Sequence, residues 1–330
     1  MKNEKRQIQL KLVTKLMEKV FLNLGFEKDF SLKKISIPIE IQKKYASMIL
    51  LYEKIIKTST IDEIKSQSNF EMMFFGLANY YYNSNEYSKS LEKLDFLLTQ
   101  DLNDVNILFS KGILLELLKL PEKAIECYES VLQIKPIHVY AAYNKSVLDA
   151  RLGKYEKAIE SLDKVISIEP KHIFALCDKG ILLLETNHPR DAITCFNEVL
   201  DVNPKHLSAL YNKGVALELL SRFDEALECY QSIIYQDPQY DDAILQAGKI
   251  LSSLEKDDEA IKIYDLGLKS NPHNVSVLYY KSKSLLKQGK DKDIPKLLNH
   301  ILSLDARYIE LVENEIDFTK YLKPLPTYEK

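Results

Sequence analysis

Residues 105–138 read VNILFSKGILLELLKLPEKAIECYESVLQIKPIH, and residues 139–172 read VYAAYNKSVLDARLGKYEKAIESLDKVISIEPKH. The two stretches align without a gap, and each ends in a proline that is followed two residues later by a histidine. The same spacing continues along the chain, with prolines 34 residues apart at Pro136, Pro170, Pro204, Pro238 and Pro272. Self-similarity at a fixed period of this size is typical of arrays of helix–turn–helix units.

Three further columns become regular when each of these prolines is numbered position 32 of a 34-residue repeat. Position 8 is small, position 20 is alanine, and position 24 is large and apolar. The members are Gly112, Ser146, Gly180, Gly214 and Gly248; Ala124, Ala158, Ala192, Ala226 and Ala260; and Tyr128, Leu162, Phe196, Tyr230 and Tyr264. Small residues let the two helices of a repeat approach each other, and we expect the large residue to fill the space toward the next repeat.

The five clear repeats begin at Val105, Val139, Ile173, Leu207 and Asp241, and weaker copies begin at Glu71 and Val275. We therefore predict seven repeats over about residues 71–306, numbered 1 to 7 below. In each repeat, helix A is predicted at about positions 2–14 and helix B at about positions 18–30. Pro121 and Pro189 fall at position 17, in the first turn of helix B, where a missing N–H is tolerated.

This pattern resembles the tetratricopeptide-repeat family. The resemblance implies an all-α fold, a right-handed superhelical solenoid of antiparallel helix pairs whose A helices line a concave groove. It also implies a non-catalytic scaffold or adaptor that binds a partner peptide or helix in that groove. One departure is position 4, often tryptophan in the family, because this chain contains no tryptophan.

Composition agrees with a folded helical protein. Apolar residues make up 46% of the chain and charged residues 28%, while only 9 glycines are available for turns of a many-stranded sheet. The net charge of −3 gives no indication of nucleic-acid binding. No apolar run is long enough for a transmembrane helix, and the charged first residues do not resemble a secretion signal. We expect a reduced, cytoplasmic protein.

The flanks do not follow the repeat columns. Residues 1–70 are predicted to form a basic helical N-terminal extension, because residues 1–60 carry a net charge of +7 against −10 for the rest. Helices are expected at about residues 4–24, 39–57 and 61–66, the first with Val13, Leu16, Val20 and Leu24 on its apolar face. Residues 307–330 are predicted to form a capping helix and tail, since terminal repeats need a polar outer face.

The groove is expected to present a column of polar side chains at position 6. Asn and Gln carry both a donor and an acceptor, so a ladder of them can pair with a peptide backbone of any sequence. Position 5 beside it is largely aromatic, and position 9 is apolar in the middle repeats. The candidate partner-binding residues are Asn144, Asp178, Asn212 and Gln246 at position 6; Phe109, Tyr143 and Tyr211 at position 5; and Ile113, Val147, Ile181 and Val215 at position 9.

Structural roles for the same columns stay open. Position 6 residues are polar wherever they face water, and position 5 residues can pack between neighbouring A helices. Position 7 is lysine in five repeats and either attracts an acidic partner or covers apolar surface with its stem and reaches a nearby carboxylate. The members of this column are Lys111, Lys145, Lys179, Lys213 and Lys281.

Catalytic or metal chemistry is not indicated, and no cofactor is expected. Cys127, Cys195 and Cys229 share position 23, Cys177 lies at position 5, and no CxxC or HxxxH pair occurs. We expect these thiols to be buried small apolar residues. Histidines recur in the linker before helix A because the linker itself recurs, whereas a catalytic site is a unique constellation that breaks the period.

Three hypotheses of function remain at this point. The first is a scaffold that binds another protein, as an extended peptide or a helix, in the groove. The second is attachment to a membrane or anionic surface through the basic N-terminal helix. The third is self-association, for which the sequence gives no positive indication.

Overall fold

The computed structural model describes residues 39–59, 61–65, 70–100 and 104–314, together with the single residues 11, 14, 15, 17, 21, 318 and 321. Every regular element in this part of the chain is helical. The described residues form two compact units, Met1–Glu169 and Pro170–Lys330. Repeats 1 to 3 lie in the first unit and repeats 4 to 7 in the second.

The helix pairs recur at the predicted spacing. Helix A spans Phe70–Asn83, Val105–Leu117, Val139–Arg151, Ile173–Glu185, Leu207–Leu219, Asp241–Ser253 and Val275–Lys287 in repeats 1 to 7. Helix B spans Tyr87–Leu98, Pro121–Ile134, Tyr155–Ile168, Pro189–Val202, Phe223–Gln236, Asp257–Ser270 and Ile294–Leu304. Within each unit, helix A packs against helix B of its own repeat, and helix B packs against helix A of the next.

Helix A ends in the same backbone turn in every repeat. Position 15 has a positive φ in all seven described helix pairs, and it is glycine in only two of them, Gly153 and Gly289. The other five residues are Asn85, Lys119, Asn187, Ser221 and Glu255. In repeat 2 the N–H of Leu120 bonds Leu115 O at 2.9 Å, and that of Lys119 bonds Glu116 O at 2.9 Å. These two bonds define a Schellman motif, which pairs the last carbonyls of helix A.

The linker histidines begin helix A. Nδ1 of His138, His172 and His206 accepts a hydrogen bond from the backbone N–H three residues later, at 3.1, 3.1 and 3.2 Å. Asp104 and Asn274 take the same N-cap role in repeats 2 and 7. The recurring histidines therefore have a structural function, the satisfaction of unpaired donors at a helix start.

The core is built from positions 8, 20 and 24. The five alanines at position 20 are fully buried. The ring at position 24 lies directly over position 8 of its own repeat: a β-carbon on Gly112 or Gly180 would lie 2.5 Å or 2.6 Å from the ring of Tyr128 or Phe196. The space above position 8 is thus occupied by the repeat's own ring, in addition to the contacts that this ring makes with the next repeat.

The flanking helices pack on the terminal repeats. The helix Ile39–Thr58 contributes Ile49 and Tyr52 to a cluster with Met17, Phe21 and residues of repeat 1. A short helix follows at Ile61–Lys65, and Tyr308–Asn314 follows repeat 7. Val13, Leu16, Val20 and Leu24, predicted as an apolar face, lie outside the described residues. The domain boundaries drawn from the sequence stay predictions.

Candidate functional site

The eleven candidate residues all lie on A helices, and each is half-buried. Five belong to the first unit: Phe109, Ile113, Tyr143, Asn144 and Val147. Six belong to the second: Asp178, Ile181, Tyr211, Asn212, Val215 and Gln246. Positions 2, 5, 6, 9 and 13 share one side of an α-helix, because they recur at intervals of three and four residues. We call this side the A-face.

The position 6 side chains make internal hydrogen bonds. Asn144 donates from Nδ2 to the hydroxyl of Tyr128 at 3.3 Å. Asn212 donates to Ser208 O, one turn earlier in its own helix, at 2.8 Å. Gln246 accepts from Lys249 Nζ at 3.1 Å. An Asn or Gln side chain has two N–H donors and two acceptor lone pairs, so these bonds use part of its capacity.

The aromatic residues at position 5 contact a ring of their own helix B and a ring of the linker before the next helix A. The ring of Phe109 lies 4.9 Å from the ring of His138, centroid to centroid, and 5.6 Å from that of Tyr128. Tyr211 makes the equivalent contacts, 5.9 Å to Tyr240 and 5.7 Å to Tyr230. Position 5 therefore packs against the N-cap residue of the next helix A, and Phe109 and Tyr211 stay half-buried on the A-face.

Position 2 contributes exposed aromatic side chains that the sequence reading did not name. Tyr140 in the first unit is 69% exposed, and Phe174 in the second is 68% exposed. Leu219, at position 13 of repeat 5, is 57% exposed. Exposed apolar side chains on this side of the helices make the A-face of each unit a candidate contact surface. Position 2 carries a different residue in almost every repeat, so the repeat columns did not single out these two aromatics.

Carboxylates at position 12 border the A-face. Glu116 accepts a short hydrogen bond from the hydroxyl of Tyr128, and Glu218 accepts one from Tyr230 at 2.5 Å. Burial raises the pKa of the Glu116 carboxyl, and the bond from Tyr128 opposes that shift. Burial together with the adjacent carboxylate raises the pKa of both phenols, so the phenols stay protonated and act as donors.

The position 7 lysines pair with carboxylates. Lys111 lies 2.8 Å from Asp95, Lys145 lies 2.7 Å from Asp149, and Lys281 lies 2.6 Å from Asp265. Asp95 and Asp265 stand at position 25 of the preceding helix B. The structural interpretation of this column is therefore confirmed for these three lysines.

The cysteines are buried and unpaired with one another, as expected. Burial raises the pKa of Cys127 and Cys229, and it raises that of Cys177 to about 11. Such thiols stay protonated near neutral pH, and a protonated thiol is a poor nucleophile or metal ligand. Across the described residues, no group of three or more His, Cys, Asp or Glu is placed to hold a metal ion.

No helix in the described part of the chain combines the length and apolarity that crossing a bilayer requires.

An all-α array of helix pairs with N-capped A helices, a turn at position 15 and a partly apolar A-face defines the class of helical-repeat scaffold proteins. Family models described as tetratricopeptide repeat match residues 75–136, 139–172, 177–241 and 241–274, more than half of the chain. The chain belongs to the tetratricopeptide-repeat family. The fold of this family is generally a non-catalytic scaffold for protein–protein interaction.

Solved structures agree with this assignment at the level of the fold. YrrB, described as a TPR protein with an unusual peptide-binding site, is 20% identical with a TM-score of 0.51, over 58% of this chain and 98% of its own. A tetratricopeptide repeat protein from Parabacteroides merdae is 16% identical with a TM-score of 0.52, over 76% of this chain and 98% of its own. No curated protein matches the chain.

Proposed function

We propose that this protein is a non-enzymatic adaptor whose A-face binds a segment of another protein, as an extended peptide or a helix. The observation that carries the proposal is that the A-face of each unit has an exposed aromatic side chain at position 2, Tyr140 in the first unit and Phe174 in the second. Burial of one large aromatic side chain on binding stabilises a complex by about 1.5–3 kcal/mol. Aromatic side chains of this kind are typical of the residues that dominate binding energy at interfaces.

The amides at position 6 supply the polar part of this surface. Asn144 and Asn212 precede the apolar residues at position 9, Val147 and Val215, by three positions, so each pair lies on one side of its helix. The internal bonds of both side chains use Nδ2, so each amide oxygen can accept from the backbone of a segment that lies along the helix. Apolar anchors would then provide affinity, and the amides would fix the direction of the bound backbone.

The test is an affinity capture from the native cell extract with the wild-type chain and with Asn144→Ala/Asn212→Ala. Partners bound by the wild type are expected to be lost or weakened in the double variant. The matched control is Gln133→Ala/Asn197→Ala, which removes two exposed amides from B helices. A second variant, Tyr140→Ala/Phe174→Ala, tests the aromatic anchors. If every partner persists with both A-face variants, the A-face is not the binding surface.

The second candidate function, attachment to an anionic surface through the N-terminal segment, has one supporting observation. Lys11 and Lys15 are exposed and four positions apart in the sequence, while Met17 and Phe21 are buried. Buried apolar residues are unavailable to enter a bilayer, so only the charge would act. Sedimentation with vesicles that contain phosphatidylserine tests this role, with wild type compared with Lys11→Glu/Lys15→Glu. Equal pelleting of the two proteins would eliminate this role.

A further inference from the structure

The charged residues of the A-face are sorted by sign in the second unit. At A-face positions and at the bordering position 12, repeats 4 and 5 carry acidic side chains and no lysine or arginine. Repeats 6 and 7 carry three lysines and one aspartate at the same positions. The acidic residues are Asp178, Glu185, Glu218 and Asp242, and the basic residues are Lys249, Lys283 and Lys287.

Contacts between neighbouring repeats join these positions into one surface. Helix A of repeat 4 contacts helix A of repeat 5, and helix A of repeat 6 contacts helix A of repeat 7. Between repeats 5 and 6, the ring of Tyr211 lies 5.9 Å from the ring of Tyr240, in the linker before helix A of repeat 6. The A-face of the second unit therefore runs from an acidic end in repeats 4 and 5 to a basic end in repeats 6 and 7.

The acidic end includes the half-buried ring of Tyr211. Burial raises the pKa of Tyr211, a hydrogen bond with Gln246 opposes that shift, and the carboxylates of Asp242 and Glu218 add to it. One carboxylate from repeat 5 and one from repeat 6 thus act on the same ring. Asp242 is exposed, as is Glu185 at position 13 of repeat 4. A cationic side chain beside an aromatic ring and carboxylates is stabilised by both.

Two lysines of the basic end contact uncharged groups. Lys249 Nζ lies 5.4 Å from the centre of the Tyr280 ring. Lys287 is exposed, and its Nζ lies 3.0 Å from the carbonyl oxygen of Ser252. Asp257 accepts a hydrogen bond from the hydroxyl of the same serine and brings one carboxylate to this end. Three ammonium groups outweigh this one negative charge, so a carboxylate of a partner is attracted here.

The position 7 lysines of repeats 4 and 5, Lys179 and Lys213, are not part of the acidic end. In repeats 2 and 7 the lysine at position 7 reaches a carboxylate of the preceding helix B, away from the A-face. Burial raises the pKa of Cys229 on helix B of repeat 5, and the charge of Lys213 opposes that shift. Position 7 therefore acts on the B helices.

The A-face of the first unit has no such separation of charge. With position 12 included, its charged residues are Glu116 and Arg151. Burial raises the pKa of Glu116, and the bond from Tyr128 and the charge of Arg151 oppose that shift. The two opposite charges of the first unit act on each other, whereas those of the second unit lie at opposite ends of its A-face.

We propose that the A-face of the second unit binds a partner segment whose charges are sorted in the complementary order. A lysine or arginine of the segment faces repeats 4 and 5, and an aspartate or glutamate faces repeats 6 and 7. Complementary charges fix the orientation of the segment and disfavour segments with the reverse order. A 12-residue segment extends at most about 40 Å, about the width of four helices side by side. This inference rests on the proposed function and adds to it the charge order of the bound segment.

The test selects peptides from a random 12-residue library displayed on phage, against the full chain. Selected sequences are expected to carry basic residues in one half and acidic residues in the other. They are synthesised with blocked termini, so that only side chains carry charge. A charge-exchanged peptide, with each basic residue replaced by glutamate and each acidic residue by lysine, should bind the wild type about tenfold more weakly or worse. Each exposed ion pair contributes up to a few-fold, and the exchange turns attraction into repulsion.

A charge-exchanged protein gives the reciprocal measurement. Glu185→Lys/Asp242→Lys/Lys249→Glu/Lys287→Glu reverses both ends of the surface and keeps the net charge of the chain. It should bind the charge-exchanged peptides about as tightly as the wild type binds the original ones. This gain of binding is a result that an unfolded variant cannot produce. Both preferences should disappear at about 1 M salt, where the screening length is about 3 Å.

The matched control makes the same changes on exposed residues of B helices in repeats 4 to 6. It is Glu198→Lys/Glu228→Lys/Lys262→Glu/Lys269→Glu. This variant should prefer the original peptides as the wild type does. If it instead prefers the charge-exchanged peptides to the same degree as the A-face variant, the charges of the A-face do not determine binding and the inference is overturned.

The outcomes separate the two proposals. A selection that yields no binder, or binders without a separation of charge, would overturn this inference and leave the proposed function to the test by Asn144→Ala/Asn212→Ala and Tyr140→Ala/Phe174→Ala. If every captured partner persists with both of those variants, the proposed function fails and this inference fails with it.

Discussion

At the scale of single residues, the glycine at position 8 and the ring at position 24 depend on each other. The four repeats with glycine at position 8 carry Tyr or Phe at position 24, whereas the three with Ala or Ser carry Leu. The small residues are Ala78, Ser146 and Ser282, and their partners are Leu94, Leu162 and Leu298. A ring needs the space that a β-carbon would occupy, and a shorter leucine leaves that space to the β-carbon.

We expect this dependence to appear as a coupling energy in repeat 4. Gly180→Ser should lower the free energy of unfolding by about 1–3 kcal/mol, because its β-carbon would meet the Phe196 ring at 2.6 Å. Gly180→Ser combined with Phe196→Leu should recover most of this loss, since the pair then matches repeats 3 and 7. Urea unfolding of the two single variants and the double variant measures the coupling. Additive losses would contradict the account.

The His138 cap makes the stability of the fold decrease as the pH falls. Burial and the nearby Lys135 lower the pKa of His138, and its Nδ1 can accept the Ala141 N–H only when the ring is neutral. The unfolded chain therefore takes up a proton more readily than the folded chain. The stability from this cap is complete above pH of about 6.5, the ordinary histidine value, and decreases as the pH falls below it.

His138→Asn is the variant that isolates this effect. Asn274 shows that asparagine caps helix A in the same way, with a bond of 3.1 Å to Val277 N. The variant should keep the stability of the cap at pH 7.5 and lose less of it than the wild type at pH 5.5. His138→Ala should lose about 1 kcal/mol at the higher pH. If the urea midpoint of the wild type and that of His138→Asn depend on pH in the same way, His138 is not the source of the pH dependence.

At the scale of elements, the turn that ends helix A holds one residue, at position 15, in an unfavourable backbone conformation. Position 15 adopts a left-handed backbone, which disfavours every residue with a β-carbon. Glu255 has a φ of 60° there, and the corresponding residue in repeat 3 is Gly153 at 71°. Glycine is thus the residue that this turn favours, and most of the repeats lack it.

Glu255→Gly is expected to raise the free energy of unfolding by about 0.5–1 kcal/mol. The matched control is Lys262→Gly in the middle of helix B of the same repeat, which should lower it by about 1 kcal/mol. Both variants are compared with wild type by thermal and urea unfolding. A loss of stability in Glu255→Gly would mean that the Glu255 side chain contributes more than its backbone strain costs.

Helix positions and the repeat period were readily predicted, and the details of the candidate site were not. Repetition every 34 residues predicts the ends of helices A and B to within a residue or two, because Pro, Gly and Ala recur at fixed offsets. The internal partners of Asn144 and Asn212 depend on side-chain rotamers, which no column of the sequence encodes. The role of His138 as a cap was likewise hidden, since histidine is an uncommon N-cap residue. The pairing of a glutamate at position 12 with a tyrosine at position 24 was visible in the columns, since the two residue types occur together in repeats 2 and 5.

At the scale of the whole molecule, stability in a repeat array is carried by contacts between neighbours. Phe21 packs on Gly76, where a β-carbon would lie 2.3 Å from its ring, and both belong to the first unit. Met17 and Phe21 therefore cover part of helix A of repeat 1 on the side of Gly76, at position 6, and Met73 and Leu77 in the same cluster are fully buried.

Phe21→Ala should destabilise repeat 1 by about 3–5 kcal/mol and leave distant repeats little changed. Hydrogen exchange followed by mass spectrometry resolves the two regions, and faster exchange is expected in Phe70–Asn83 but not in Leu207–Leu219. The control Lys11→Ala/Lys15→Ala changes exposed residues of the same segment and should leave both regions as in wild type. Faster exchange throughout the chain would instead indicate that the array unfolds as one cooperative unit.

The dependence between positions 8 and 24 restricts how such a gene can rearrange. Unequal crossing-over between two repeats inserts or deletes whole multiples of 34 codons and keeps the reading frame. A crossover between the codons for positions 8 and 24 of unlike repeats produces a mismatched pair. Either a serine at position 8 collides with a ring at position 24, or a glycine faces a leucine and a cavity remains between them. A crossover in the linker around positions 32–34 transmits each matched pair intact. Duplicated repeats that fold should therefore have their recombination junctions in the linker. The number of repeats can then change while every position 8 and position 24 pair stays matched.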